Sequence, residues 1–413
     1  MNTCSLVAPY GSHVSQSRSR SIARGARSIF ATCVVLAACA GAATAAFACP
    51  PEQPPKNVDG KVVPPQKVVQ IALLLDTSNS MDGLINQAKA QLWSVVRRVS
   101  QLKSDEQGPV MQIALYEYGN NSISAEVNYV RQISGFTSDL DLISEKLFAL
   151  STNGGSEFCG AAIQSSVRDL VWCTNTDALK MIVVAGNEPF SQGGVDYRLA
   201  VPEAVRKGIK VNTIHCGPRS DGIQGSWQDG AVLGNGTYFA IEQDKVITQP
   251  RTPYDDDIIR CGTDLNSTYI GYGRREEVAL LEKRQVAQDS NAAATAPSAA
   301  VERAAAKSTA NYSNVHWDLV DATEGDKWDV LTKLSADQLP ESFKGLTLEQ
   351  QKAKVLEARA QRLKIKARIA ELEASRAKHL AAEAKAAGND NTLGDALTKA
   401  IDKQASGVGL KAP

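Results

Sequence analysis

"LLLDTSNSMDGL" runs from Leu73 to Leu84. An apolar run ends at Asp76, and three small polar residues then stand at alternate positions: Asp76, Ser78 and Ser80. An unbroken apolar run of this kind suits a strand covered on both faces. The polar triplet that follows opens a helix-like stretch. In open α/β sheets, ligand sites lie at the carboxyl ends of strands. A hard divalent cation such as Mg2+ takes oxygen ligands and keeps several waters. One carboxylate with two neutral hydroxyls supplies oxygens without quenching the ion's charge. What charge remains is free to attract an external carboxylate.

Working outward, apolar runs alternate with helix-like stretches over residues 67–273. Strands are expected at Val68–Asp76, Val110–Tyr118, Val127–Ile133, Leu179–Ala185, Val211–His215 and Gly236–Ile241. The 127–133 run alternates Val127, Tyr129, Arg131 and Ile133, as a half-exposed edge strand does. Helices are expected at Ser80–Leu102, Leu140–Leu150, Gly160–Trp172, Tyr197–Lys207 and Asp257–Tyr269. Strands alternating with helices imply an α/β fold, a doubly wound, Rossmann-like, mostly parallel sheet with one antiparallel edge strand.

With that placement, Asp76-x-Ser78-x-Ser80 resembles the first metal loop of von Willebrand factor type A (VWA) domains. The likeness covers about residues 67–273. "GGSEFCG", "AGNEPF" and "VNTIHCG" extend it toward a bacterial exported branch of that family with a helical tail. The resemblance implies one divalent ion, Mg2+ or else Mn2+ or Ca2+, at a metal-ion-dependent adhesion site (MIDAS). The bland reading is that Asp76 and the serines only cap a helix.

Two further loops of that family depart from pattern here. The second normally offers a Thr; counting from the glycines puts Ser156 there, and counting back from "GAAI" puts Glu157 there. The third normally offers an Asp; this chain has Gly186 or Asn187 at that position, then Glu188. The expectation is a relocation in which Glu157 replaces the missing acid, since attraction to an ion depends on charge and distance, not on which loop supplies it. The opposing expectation is a weakened site with only Asp76 charged.

The resemblance implies a protein-binding module whose ion is completed by an acidic residue of a protein partner. Loops at Met81–Leu84, Ser191–Asp196 and Arg219–Trp227 would form its rim, with Met81, Asp82, Glu188 and Trp227 as contact residues. Trp227 reads equally as a core side chain. The competing reading is a metal-independent cell-envelope scaffold assembled through a long helix. No GxxxxGK[ST], HExxH or GxSxG motif occurs, so an enzyme is not expected.

The chain's 45 basic and 45 acidic residues cancel, which leaves no electrostatic footprint for nucleic acid. At the amino end, Arg18, Arg20, Arg24 and Arg27 precede the apolar run Ile29–Ala38, an export-signal pattern. "AFA" at 46–48 fits a peptidase site, while "LAAC" at 36–39 resembles a lipobox that would lipidate Cys39. The run is short for a membrane span. The expected location is the periplasm or envelope of a bacterium, with membrane contact only through such a lipid or an uncleaved signal.

In an oxidising compartment Cys159, Cys173, Cys216 and Cys261 are disulfide candidates. In the fold that the resemblance implies, Cys159 and Cys216 share the carboxyl-end face and are paired, leaving Cys173 with Cys261. Domain boundaries are expected as signal and lead 1–48, Pro-rich spacer 49–66, α/β domain 67–273, Ala-rich linker 274–311, helical tail 312–387 and disordered end 388–413. Residues 346–387 lack Gly and Pro and suit one long helix, started by a Thr347/Gln350 capping box. It is read as packed against the tail or as a coiled-coil arm that makes an oligomer.

Overall fold

The computed structural model describes residues 66–104, 107–245, 250–383 and 392–411. The export signal, Cys39 and nearly all of the Pro-rich spacer lie outside the described residues. β1 (Val68–Asp76) is central, and all nine of its residues are buried. Val69, Ile71, Leu73 and Leu75 enter one core while Ala72 and Leu74 enter the other, the period-2 alternation of a strand with cover on both faces. Around it stand β2 (Val110–Tyr118), β3 (Val130–Thr137), β4 (Leu179–Gly186), β5 (Lys210–Cys216) and β6 (Tyr238–Ile241). The order is β3-β2-β1-β4-β5-β6. Every pairing is parallel except β2 with β3, which is antiparallel and bulged. Register sets Asp76 opposite Tyr118, and Leu75 opposite Ala185. The carboxyl ends of the three central strands therefore finish together.

The helices that follow these strands are α1 (Asp82–Gln101), α2 (Leu140–Phe148), α3 (Cys159–Asp169), α4 (Tyr197–Arg206), α5 (Arg219–Gln224) and α6 (Trp227–Leu233). The segment expected as a rim loop, Arg219–Trp227, is thus α5 and the start of α6. α1 covers one face of the sheet, and α3, α4 and α6 cover the other.

Beyond β6 the chain is helical: α7 (Asp255–Asn266), α8 (Arg275–Thr295), α9 (Pro297–Lys307), α10 (Leu319–Ala322), α11 (Asp329–Lys333), α12 (Leu348–Glu383) and α13 (Leu393–Ala405). The stretch read as an Ala-rich linker is α8 and α9, and in α9 every residue from Ala299 to Lys307 is buried. Small side chains allow that close approach. A methyl group on Gly262 of α7 would stand 2.6 Å from Cβ of Ala304. Arg303 and Lys307 are neutralised there: Arg303 pairs with Asp141 at 2.7 Å and Asp289 at 2.5 Å, and Lys307 with Asp289 at 3.0 Å. Burial still pushes the Lys307 ammonium down to about 8 despite Asp289.

α12 is docked on its own chain. Val355, Ile369 and Leu372 bury their side chains there, and Arg362 and Arg376 reach buried Asp318 and Asp255 at 2.7 and 3.0 Å. Leu356 and Leu363 on the same helix remain exposed.

The end of the chain, expected as disordered, contains α13. Leu393, Ala396, Leu397, Ala400 and Ile401 are buried, at the i, i+3, i+4, i+7, i+8 spacing of one helical face. Leu393, Ala396, Leu397 and Ile401 join the core of β1 and α1, with the helix packed on α1 and over β4, β5 and β6. Among the described residues no helix is long and apolar enough to cross a membrane.

Candidate metal centre at the carboxyl end of the sheet

The first loop leaves β1 at Asp76 and turns back on it. The backbone N–H of Ser78 donates to Asp76 Oδ1 at 2.7 Å. The hydroxyls of Ser78 and Ser80 lie 3.2 Å apart, and Asn187 Nδ2 donates to Ser80 Oγ at 3.1 Å. Thr77 anchors the turn: its N–H donates to Tyr118 O at 2.9 Å, and its carbonyl accepts from Asn153 N at 2.9 Å. Asn120, buried, donates to Ser151 O at 2.9 Å and Thr77 O at 3.3 Å. The first and second loops are therefore laced into one unit.

Of the two second-loop candidates, Glu157 brings its carboxyl to Asp76 and is buried. Ser156 makes a backbone bridge to Gly119. Glu157 is positioned through its backbone, where its N–H donates to Gln192 Oε1 at 2.7 Å. Burial pushes the Asp76 carboxyl well above the ordinary range, and the neighbouring Glu157 carboxyl pushes the same way, against donors from Ser78. A buried Asp76 carboxylate beside Glu157 is stabilised by a proton or a cation.

Among the described residues four buried side-chain oxygens have no hydrogen-bond partner: Gln243 Oε1, and Asp76 Oδ2, Glu157 Oε2 and Asn187 Oδ1. Leaving such acceptors unmet is costly; the last three belong to the metal loops, and Gln243 donates to Ser80 O beside them. Among the described residues no group of three or more His, Cys, Asp or Glu side chains converges for a metal. The donors here are two carboxylates with hydroxyl and amide oxygens, a set suited to a hard divalent cation.

Gly119 leaves this space open. Its φ is +83°, and a methyl there would stand 2.8 Å from Asp76 Oδ1 and 2.9 Å from Glu157 Cγ. Gly119→Ala is expected to lower Mn2+ affinity about tenfold or more while costing only ~1–2 kcal/mol of stability from the left-handed backbone. Calorimetric titration beside urea unfolding checks this, and unchanged affinity would mean the two carboxyls do not share the space that the methyl takes.

Other expected residues take different places. Met81 and Trp227 are fully buried, so neither offers a contact surface. Met81 packs into the α1 core. The Trp227 ring lies 4.9 Å from that of Phe190, and its Nε1 donates to Glu188 O at 2.9 Å. Asp82 is exposed and accepts from Thr152 Oγ1, and Glu188 is half-buried. Both expected disulfides are corrected. Cys159, Cys216 and Cys261 are free thiols, and Cys173 is disulfide-bonded to none of them. Cys159 lies in the core on one face of the sheet and Cys216 in the core on the other, with the sheet between them. Ending near the same edge is not enough, because alternate residues face opposite sides.

Three supporting residues carry no local motif. The Tyr118 hydroxyl donates to Ala185 O at 2.9 Å and accepts from Cys159 Sγ at 3.5 Å. Gln243 Nε2 donates to Ser80 O at 2.8 Å. Gln87 Nε2 donates to Glu242 O at 2.7 Å and Gln243 O at 2.9 Å, and its Oε1 accepts from Leu393 N at 2.9 Å.

The family model for the von Willebrand factor type A domain matches residues 70–224, the segment that carries all of these metal-loop residues. Residues 70–224 are a von Willebrand factor type A domain. VWA domains are generally protein-interaction modules rather than enzymes. No curated protein matches the chain. Solved structures similar to it include proximal thread matrix protein 1 from the mussel byssus, at 13% identity, 43% of each chain and a TM-score of 0.32. A second structure of that protein, with a zinc-occupied MIDAS motif, gives 13% identity, 44% of this chain, 43% of that one and a TM-score of 0.33. BatB from Bacteroides thetaiotaomicron gives 18% identity, 42% of this chain, 90% of that one and a TM-score of 0.32. The matched segment thus spans less than half of the mussel protein's length.

Proposed function

We propose that this VWA domain binds one divalent cation, Mg2+ or Mn2+, through Asp76, Ser78, Ser80, Glu157 and Asn187, and that a protein partner's Asp or Glu completes the site. The unpartnered buried oxygens of the metal loops, on Asp76, Glu157 and Asn187, carry this reading. When bound, the cation supplies attraction for an external carboxylate. The chain's own part is to fix the loop through Ser78 and Thr77, to hold Glu157 beside Asp76, and to keep Ser80 exposed on the rim. Relocating the second acid to Glu157 keeps the ligand charge that the third loop lacks. An envelope location is proposed on the export-signal pattern alone.

The test is isothermal titration of Mn2+ into the full chain. Glu157→Gln should weaken binding about tenfold or more, ~1.4 kcal/mol, while Ser156→Ala changes it little. Parent-like affinity in Glu157→Gln would sink the relocation. At an ion concentration of 100 Kd the parent should gain ~2.7 kcal/mol of stability, removed by EDTA.

A further inference from the structure

The outward face of α12 carries a pattern that its docked face does not use. Over residues 353–381 every seventh residue is alanine, beginning with Ala353, and between these alanines stand Leu356, Leu363, Ala370 and Ala377. Every one of these positions is exposed, Leu356 at 47% and Leu363 at 61%. Spacings that alternate between three and four residues keep one apolar stripe turned toward a neighbouring helix over its whole length. This stripe covers about 28 residues, or ~42 Å of helix. The buried residues Val355, Arg362, Ile369 and Arg376 also recur every seven residues, and their stripe lies roughly 150° away around the helix. The helix therefore has two seams, one docked on its own chain and one facing outward.

The charges beside the outward stripe select its partner. Glu357, Lys364, Glu371 and Lys378 each follow a residue of the stripe, alternate in sign and are exposed. Among the described residues Glu357, Lys364 and Lys378 make no ion pair, and Glu371 pairs only with exposed Arg368 of its own helix, at 3.1 Å. The opposite flank is already engaged: Arg359 donates to Thr323 O at 2.8 Å, and Glu373 accepts from Arg97 at 2.8 Å. In a parallel pair the free flank would face the engaged flank of the second copy, with Lys364 against Arg359. In an antiparallel pair the two free flanks face each other. With Ala367 opposite Ala370 of the second copy, Leu363 faces Ala374 and Leu356 faces Ala381, large against small. Glu357 then meets Lys378, Lys364 meets Glu371, and the two-fold axis repeats both contacts. Sliding the copies by one heptad sets Lys364 against Lys364 or Glu371 against Glu371, so the order of charges fixes one register.

We propose that α12 pairs antiparallel with α12 of a second copy of this chain through the stripe at residues 353–381, in the register that joins Glu357 to Lys378 and Lys364 to Glu371. Alanine at every seventh position lets the two axes approach to the short end of the usual spacing of roughly 8–10 Å, which brings the flanking charges within reach of each other. Alanine also contributes little apolar area, so the association is reversible and depends on concentration. The dimer carries two metal-loop faces, and engagement of one raises the effective concentration of the other at the same surface. The pairing does not use the metal loops and holds with or without an ion there.

The experiment is analytical ultracentrifugation of the full chain over a concentration series from about 1 μM to 1 mM. The expected result is a monomer–dimer equilibrium that persists in EDTA. Glu357→Lys should raise the dissociation constant about tenfold or more, and so should Lys378→Glu, because each sets like charges together twice in the dimer. The double variant carrying both changes should return to the parent value, the coupling expected of residues in contact. Leu363→Glu, at an exposed position, should leave the circular dichroism unchanged and abolish the dimer. A chain that stays monomeric throughout the series overturns the proposal, as does a dimer indifferent to Leu363→Glu. A double variant as weak as the single ones overturns the antiparallel register. Dissociation in EDTA would place the contact at the metal loops and overturn the assignment to α12.

Discussion

A chain that stops at residue 391 is expected to lose its cooperative unfolding transition. Leu393, Leu397, Ile401 and Leu410 are buried in the core that covers β1 and α1. Each such side chain contributes about 2 kcal/mol by burial, and a whole domain is stable by only about 5–15 kcal/mol. Removing them also uncovers the surfaces of α1, β4, β5 and β6 against which α13 packs. Polar groups would be orphaned with them. Asn212 of β5 is fully buried and accepts from Gln404 Nε2 at 2.6 Å. Gln91 Oε1 accepts from Gly394 N at 2.6 Å, and Lys103 and Lys411 exchange two backbone hydrogen bonds of 2.9 Å. Urea unfolding followed by near-ultraviolet circular dichroism checks the outcome. A truncated chain that unfolds within ~1 kcal/mol of the parent would show α13 to be an appendage. The milder Leu397→Ala should cost ~2–5 kcal/mol. Metal affinity should fall in both variants, because Gln87 links Leu393 to the Gln243 segment that braces Ser80.

Arg303→Met is expected to cost about 3–5 kcal/mol, the usual penalty for stranding a buried counter-charge. The guanidinium is 2% exposed and its partner Asp141 is 7% exposed. It also donates to Gln285 O at 3.0 Å and stacks 4.4 Å over Trp93. Met fills a similar volume, so the loss would come from Asp141 and Asp289, not from a cavity. Tyr312, which donates to Asp141 Oδ2 at 2.6 Å, compensates only part of one charge. The control is Lys333→Met. Its ion pair with Asp329 is also 2.5 Å long, but the two side chains are 73% and 59% exposed, so less than ~1 kcal/mol should be lost. Equal effects for the two variants would refute the distinction.

The sheet was legible because its strands are continuous apolar runs. β1 and β2 begin and end where the sequence places them, and β4 and β5 extend one residue or so beyond. β3 was displaced by three residues at its start, since its alternation begins in the turn at Asn128 and Tyr129, both of positive φ. The helical tail was harder to read. α9 is buried through alanines, which carry little hydrophobic signal, and its two buried cations look like surface residues until their carboxylates are seen. α13 does show a clear amphipathic spacing, but its partner surfaces are α1, β4, β5 and β6, all far away in the chain. At the site, Asp76 and the serines announce themselves by spacing, whereas Tyr118, Gln192 and Gln243 act through contacts between distant segments. The cysteine pairing failed for a related reason. Proximity to one edge of the sheet was visible, but the face on which each sulfur lies depends on strand phase.

The lateness of α13 also sets a timetable for synthesis. Leu73 and Leu397 share one core, yet roughly 320 residues separate them, and contacts so distant in sequence form slowly. At about 5–20 residues per second of translation, the first strand waits on the order of tens of seconds before its last covering helix exists. Until then the part of the sheet's face beside α1, over β4, β5 and β6, lacks its cover, and the brace from Gln87 to the Ser80 loop is missing an end. The fold cannot be finished from the amino terminus onward, so its completion reports that nearly the whole chain has been made.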